Sequence, residues 1–209
     1  MIIKEIMKSS LVSISPDIKL SDAYSLMQEK NIRHLPVVEK SKLVGIVTDR
    51  DLRLSTSRLA KHPFEPEEFV KKVMSHPVKT THPSDPIESA AQLMRELKIG
   101  CLPVVEDGQL IGIVTITDML DALLFLTGVH QPSGRLDVRL SNRSGELAKL
   151  ASLLADLKVN IHSILTYPEK DKSIRLVLRI GTIEMRVIAQ AICNAGFEVI
   201  WPVQISCVK

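Results

Sequence analysis

The chain is poor in aromatic residues, which make up 3% of its 209 positions. That excludes the stacked aromatic platforms on which single-stranded nucleic acids bind, and it predicts that any nucleobase is held between aliphatic faces. Cysteine is scarce and odd in number. Cys101, Cys193 and Cys207 lie far apart, without metal-ligand or disulfide-framework spacing, and are expected to be buried reduced thiols. No apolar run reaches the roughly 18 residues that a membrane helix needs, and Met1-Ile2-Ile3-Lys4-Glu5 does not read as a signal peptide. Lysine and arginine form no tract, and the net charge is only +3, which argues against a nucleic-acid partner. The expectation is a soluble cytoplasmic protein.

What the chain does have is a repeat. Leu35-Pro36-Val37-Val38-Glu39 and Leu43-Val44-Gly45-Ile46-Val47-Thr48-Asp49-Arg50-Asp51 recur as Leu102-Pro103-Val104-Val105-Glu106 and Leu110-Ile111-Gly112-Ile113-Val114-Thr115-Ile116-Thr117-Asp118, at a constant offset of 67 residues. The same offset aligns Met7 with Met74, Ala23 with Ala90 and Met27 with Met94. Periodicity and turn residues give each copy the order strand, helix, strand, strand, helix. The first copy predicts a strand over 11–15, a helix over 20–30, strands over 35–39 and 42–48, and a helix from 49 to about 58. The second predicts a strand near 78–82, a helix over 87–97, strands over 101–106 and 109–115, and a helix over 116–127. Asp107-Gly108 is a strong hairpin signal. Two such units cannot bury their faces alone and should pack together.

A different domain follows Gln131-Pro132-Ser133-Gly134. It reads strand 136–140, helix 145–157 with Leu147, Leu150, Ala151 and Leu154 on one face, strands 160–167 and 173–181, helix 183–195 and strand 197–205. This βαββαβ order is a split βαβ pattern. The segmentation expected is 1–58 and 73–127 for the two repeats, 59–72 for a connector, 128–134 for a linker and 135–209 for the last domain.

At each repeated strand-to-helix corner, helix amides and a threonine hydroxyl converge, and they suit a phosphate. Asp51 or Asp118, one turn in, can accept hydrogen bonds from two ribose hydroxyls. Gly45 and Gly112 remove a side chain where a ligand could approach the strand. The alternative is that Thr48-x-x-Asp51 and Thr115-x-x-Asp118 are capping boxes that only satisfy helix-end amides.

Residues 7–52 and 74–119 resemble CBS domains, on the Gly-Ile-Val-Thr-x-x-Asp segments and the Leu-Pro-Val-Val strands, and the tandem resembles a Bateman module. The resemblance implies an adenosine ligand (AMP, ADP, ATP or S-adenosylmethionine) in clefts between paired units. Asp51 and Asp118 would hold ribose, and Thr48 and Thr115 would contact phosphate or ribose. Adenine would lie near Ile14, Val37 and Ile46, or near Thr81, Val104 and Ile113, with Arg33 and His34 also lining the site. Arg50 and Arg53 have no basic counterparts in the second copy, so polyphosphate is expected at the cleft of Asp51.

Arg135 to about Ile205 resembles an ACT domain. Its signature turn is Leu140-Ser141-Asn142-Arg143-Ser144-Gly145-Glu146-Leu147, where Asn142 and Ser144 replace the family's acid and proline. The resemblance makes Asn142, Ser144 and Gly145 candidates for holding an amino acid. The order CBS, CBS, ACT is similar to the bacterial acetoin-utilisation family.

The fold class expected is therefore α+β or α/β: a pair of βαββα CBS repeats followed by a ferredoxin-like ACT domain. Six scattered histidines and the lack of a phosphate-binding P-loop, zinc pattern or Gly-x-Ser-x-Gly point away from catalysis. The function expected is a homodimeric regulatory sensor of an adenosine nucleotide, acting on an unidentified protein, without an obligatory cofactor or metal. The alternative is a ligand-free dimeric interaction scaffold.

Overall fold

The computed structural model describes residues 1–61, 63–169 and 172–203. His62, Ile205 and Cys207 fall outside that set. The chain forms two compact units, Met1–Leu120 and Asp121–Lys209.

The first unit holds both repeats. In the first, helix α1 (Leu20–Lys30) is followed by the antiparallel hairpin of β1 (His34–Glu39) and β2 (Lys42–Thr48), and then by α2 (Asp49–Ser55). In the second, α3 (Ile87–Leu97) precedes the hairpin of β3 (Cys101–Glu106) and β4 (Gln109–Thr115), and α4 (Ile116–Leu126) follows, beginning in this unit and continuing past Leu120 into the second. Both hairpins turn on two residues with positive φ: Lys40 and Ser41 at 49° and 67°, Asp107 and Gly108 at 50° and 77°. This is the twist-matched two-residue turn. Asp-Gly adopts it without strain, whereas Lys-Ser must tolerate a left-handed backbone twice.

Two short pieces of each repeat differ from expectation. The strands over 11–15 and 78–82 reduce to single parallel bridges, Ile14 to Val37 and Thr81 to Val104. Helix α2 stops at Ser55 rather than near Arg58, because the hydroxyls of Ser55 and Thr56 both donate to the Leu52 carbonyl and close its end.

The segments that lead into the repeats are exchanged. Ile3–Glu5 and Val70–Lys72 form matching 3-10 turns at the 67-residue offset. The first docks on repeat 2, where the Ile3 amide donates to Asp85 and Lys8 bridges Ile113. The second docks on repeat 1, where Val70 donates to Ile18 and Ser75 bridges Ile46. Val70 completes the core made by Ile14, Leu20, Ala23, Met27, Leu35, Val37, Val47 and Leu52. Ile3 and Val70 are both fully buried.

The second unit contains a four-stranded antiparallel sheet in the order β6-β7-β5-β8, built from β5 (Gly134–Ser141), β6 (Ile161–Pro168), β7 (Ser173–Ile180) and β8 (Glu198–Trp201). Helices α5 (Glu146–Asp156) and α6 (Met185–Asn194) complete the βαββαβ order. Leu136, Val138 and Leu140 of β5 pack with Leu150 and Leu154 of α5 and with Ile188 and Ile192 of α6. Leu147 does not join this core and stays 42% exposed in the first turn of α5. On the opposite sheet face, Asp137 is fully buried. Its carboxylate accepts from Arg135 Nε at 2.7 Å and from Arg175 Nε at 3.0 Å. Cys193 is disulfide-bonded rather than a reduced thiol, and Cys101 is a buried free thiol. Among the described residues no helix is long and apolar enough to cross a membrane.

Candidate functional site

Each repeat ends its hairpin at a threonine and starts a helix on the next residue. The Asp51 amide donates to Thr48 Oγ1 at 3.1 Å, and Asp51 Oδ2 accepts from the Thr48 amide at 3.0 Å and from its hydroxyl at 2.7 Å. Thr115 and Asp118 repeat the pattern, with amide and hydroxyl donors to Asp118 Oδ2 at 2.7 and 2.6 Å. The amides of Asp49 and Ile116 are met by the carbonyls of Arg33 and Gly100. Both corners are thus closed capping boxes. A threonine hydroxyl has one proton to donate, and in both corners it goes to the aspartate. Toward a phosphate, Thr48 and Thr115 can therefore offer only an acceptor unless the corner rearranges.

The second carboxylate oxygen distinguishes the two corners. Among the described residues no cation stands within ion-pair distance of Asp51. Asp118 Oδ1 lies 3.5 Å from Lys8 Nζ, and the Asp118 side chain is 7% exposed while that of Lys8 is 64% exposed. Arg53, expected to serve a phosphate beside Asp51, instead pairs with Asp49 at 2.8 Å one helical turn away. Arg33 and Arg50 are exposed.

The apolar candidates divide by burial. Val37 and Val104 are fully buried and Ile14 nearly so, and Val37 and Ile14 belong to the repeat 1 core. Ile46 and Ile113 are half-buried and lie beside Pro36 and Pro103 in the hairpin register. Thr81 is buried and donates to Asp85 Oδ2 at 2.7 Å, which also accepts from the His82 amide. These two bonds, the His82 amide first, hold the Asp85 carboxyl below its ordinary range.

Gly45 and Gly112 have a different neighbour from the one expected. A Cβ on Gly45 would sit 2.3 Å from Met74 Sδ, and one on Gly112 would sit 2.7 Å from Met7 Sδ. The space is occupied by the exchanged methionines, so these glycines seat a side chain of the molecule itself.

The two repeats meet near His34 and its counterpart Cys101. A Cβ on Gly100 would lie 3.0 Å from His34 Nε2, so the absence of a side chain there makes room for the imidazole. Burial pushes the His34 pKa down, the Arg33 charge adds to this, and Asp51 opposes it. Burial, with a further contribution from Asp51, pushes the Cys101 thiol up to about 12. Asp51 thus acts electrostatically on the first strand residue of both repeats. Lys8 and the methionine seats were not legible in the sequence. The alignment of Met7 with Met74 was their only trace.

In the second unit a cavity of about 380 Å³ is lined by Arg139, Ser141, Glu146, Lys149, Phe197 and Glu198, among others. Asn142, Ser144 and Gly145 lie between the lining residues Ser141 and Glu146 but do not line it themselves. All three are exposed, and Gly145 takes φ 91° at the start of α5. Arg139 donates to Glu169 at 2.5 Å and also contacts Glu198 at the cavity wall.

The CBS domain model matches residues 3–56 and 70–125, and the ACT domain model matches residues 134–195. Solved structures resemble the CBS portion. The CBS domain pair of protein MJ0100, in complex with 5-methylthioadenosine and S-adenosyl-L-methionine, is 27% identical, covers 59% of this chain and 95% of its own, and has a TM-score of 0.53. CBSX2 in complex with AMP is 30% identical, covers 59% of this chain and 96% of its own, and has a TM-score of 0.53. AcuB from Vibrio cholerae, a protein named for acetoin utilization, is 33% identical, covers 63% of this chain and 98% of its own, and has a TM-score of 0.53.

Proposed function

The chain belongs to the CBS-domain family, with an ACT domain following its CBS pair, and from that premise we propose that it is a non-catalytic regulatory protein whose CBS repeats bind an adenosine ligand. The observation that carries this reading is the corner found twice, in which one aspartate oxygen is fixed by the cap and the other is left to interact elsewhere. A carboxylate held in this way is preorganised to accept from ribose hydroxyls. Ile46 and Ile113, half-buried at the neighbouring strands, supply the apolar faces that an adenine needs in a molecule short of aromatics. The neighbours solved with AMP, 5-methylthioadenosine and S-adenosyl-L-methionine support the ligand class. Asp51 and Asp118 hold ribose in this reading, with Ile14, Arg33, His34, Val37, Gly45, Thr48, Arg50, Thr81, Val104, Gly112 and Thr115 building or flanking the two clefts.

The ACT domain is assigned to dimerisation or to sensing a small molecule. Arginine, lysine and two glutamates around one cavity suit an amino acid, which carries both charges, and the turn of Asn142, Ser144 and Gly145 borders it. The likeness to AcuB supports a role linked to acetoin utilisation. A homodimer is supported by α4, where Leu120, Leu123, Leu124 and Phe125 are 54%, 54%, 41% and 68% exposed. Segments 1–58, 59–72, 73–127, 128–134 and 135–209 serve as working boundaries, and the regulated protein would read the ligand state of the CBS pair.

Calorimetric titration with AMP, ATP and S-adenosylmethionine tests the proposal. Asp51→Ala and Asp118→Ala should each weaken binding at their own cleft by about 1.5–3 kcal/mol, roughly ten- to a hundredfold. Absence of binding by any of the three ligands refutes it. The second reading, a dimeric interaction scaffold, is favoured by one observation: both threonine hydroxyls are already committed inside closed capping boxes. A scaffold would ignore the ligand panel.

A further inference from the structure

Lys8 and Ser75 occupy equivalent places. Each lies in an exchanged leading segment, and each is fixed by a reciprocal pair of backbone hydrogen bonds: Lys8 to Ile113 at 2.9 and 3.1 Å, Ser75 to Ile46 at 2.8 and 3.1 Å. Each therefore stands beside the strand that runs into a threonine–aspartate corner. Only at Asp118 does that place carry a cation, and its ammonium lies 3.5 Å from Oδ1. This is the oxygen left over by the cap, and the one a ribose would need.

We propose that Lys8 sets the ligand class of the Asp118 cleft, making it selective for adenosine ligands that carry a phosphate. The inference rests on the adenosine reading above and adds a discrimination between its two clefts. A ribose that approaches Asp118 must displace the ammonium from Oδ1. An uncharged nucleoside takes that oxygen from the ammonium, which is 64% exposed, and gives it only water in return, so the ion pair is forfeited. A nucleotide brings a phosphate to which the ammonium can transfer, and a lysine on a long flexible stem makes such a point contact without bidentate geometry. The backbone of Lys8 is held on both sides, so only the side chain has to move. At Asp51 the equivalent residue is Ser75, and no cation has to be displaced, so a nucleoside without phosphate meets no such penalty. The asymmetry runs opposite to the one expected from Arg50 and Arg53.

The test uses the full chain carrying Asp51→Ala, so that binding at the Asp118 cleft is read alone. AMP and adenosine are titrated calorimetrically before and after Lys8→Met and Lys8→Arg are added. The expected result is a preference for AMP that increases as salt is lowered, a tenfold or greater loss of AMP affinity on Lys8→Met, no loss for adenosine, and retention of AMP by Lys8→Arg. Equal weakening of both ligands by Lys8→Met, or no change in either, overturns the assignment to Lys8 while leaving the adenosine site intact. If neither ligand binds the unsubstituted protein at either cleft, the nucleotide reading falls and this inference falls with it.

Discussion

Replacing Asp137 with alanine should destabilise the ACT unit selectively. Asp137 is fully buried on the sheet face away from the helices, between Arg135 and Arg175. Removing one partner of a buried ion pair costs about 3–5 kcal/mol when the remaining charge is trapped. Here the side chains of Arg135 and Arg175 are 45% and 34% exposed, so both orphaned guanidiniums regain water. The expected loss is therefore nearer the value for hydrogen bonds to a charged group, about 2–3 kcal/mol in all. At a urea slope of about 1 kcal/mol per molar for a small domain, the unfolding midpoint should fall by about 2–3 M. The assay is built into the chain. Trp201 is the single tryptophan, it lies opposite Asp137 in the β5–β8 register, and its fluorescence follows this unit rather than the CBS pair. Burial acts to raise the Asp137 carboxyl, but the hydrogen bonds from Arg135 and Arg175 outweigh it and hold the group below its usual range. A lowered folded pKa means that the contribution is present above the unfolded value of about 3.9 and fades as pH falls through the folded value. The difference between wild type and Asp137→Asn should therefore shrink in acid. A change within about 0.5 kcal/mol of zero for Asp137→Ala, the range of an ordinary surface substitution, would refute this account of the face.

Three further outcomes are expected. Gly45→Ala should cost about 1–3 kcal/mol by overpacking against Met74, and Met74→Ala on the same chain should recover part of that loss. Purely additive losses in the double-substituted protein would show that the two residues are not coupled. Ser41→Gly should raise the stability of the CBS pair by about 0.5–1 kcal/mol, because the relief of a left-handed residue exceeds the added chain entropy, and a lower melting temperature would contradict it. Cys101, with its thiol pushed up to about 12, should resist a thiol reagent near pH 8 while the protein is folded and react once it is unfolded. Prompt labelling of the native protein, read by mass spectrometry, would contradict its burial.

The parts of the fold that were legible in the sequence are those fixed by neighbours along the chain. Helix α3 and strands β3 and β4 begin and end where periodicity placed them, and Asp107-Gly108 turns as its residue types require. The order of the ACT elements follows from the same local signals. The residues 11–15 alternate like a strand, but only Ile14 finds a pairing partner, and alternation along a segment says nothing about whether an edge is available to it. The threonine–aspartate corners were legible as a pattern. That their hydroxyl protons are already committed was visible only in three dimensions. Lys8 was missed because its partner Asp118 is far along the chain and belongs to the other repeat. The 67-residue offset pairs each residue with its copy, but it does not say on which repeat a leading segment will settle.

The exchange of those leading segments has a consequence for how the molecule can be divided. A piece ending at Arg58 lacks the valine that plugs its own interior and the methionine that fills its own glycine notch, because both come from the stretch after it. A piece starting at Val73 lacks the isoleucine and methionine supplied by the first eight residues. Neither half carries the whole of its own packing. A single half could close only by lending its leader to a second copy and borrowing that copy's leader in return, so the covalent tandem is such a mutual loan made permanent within one polypeptide.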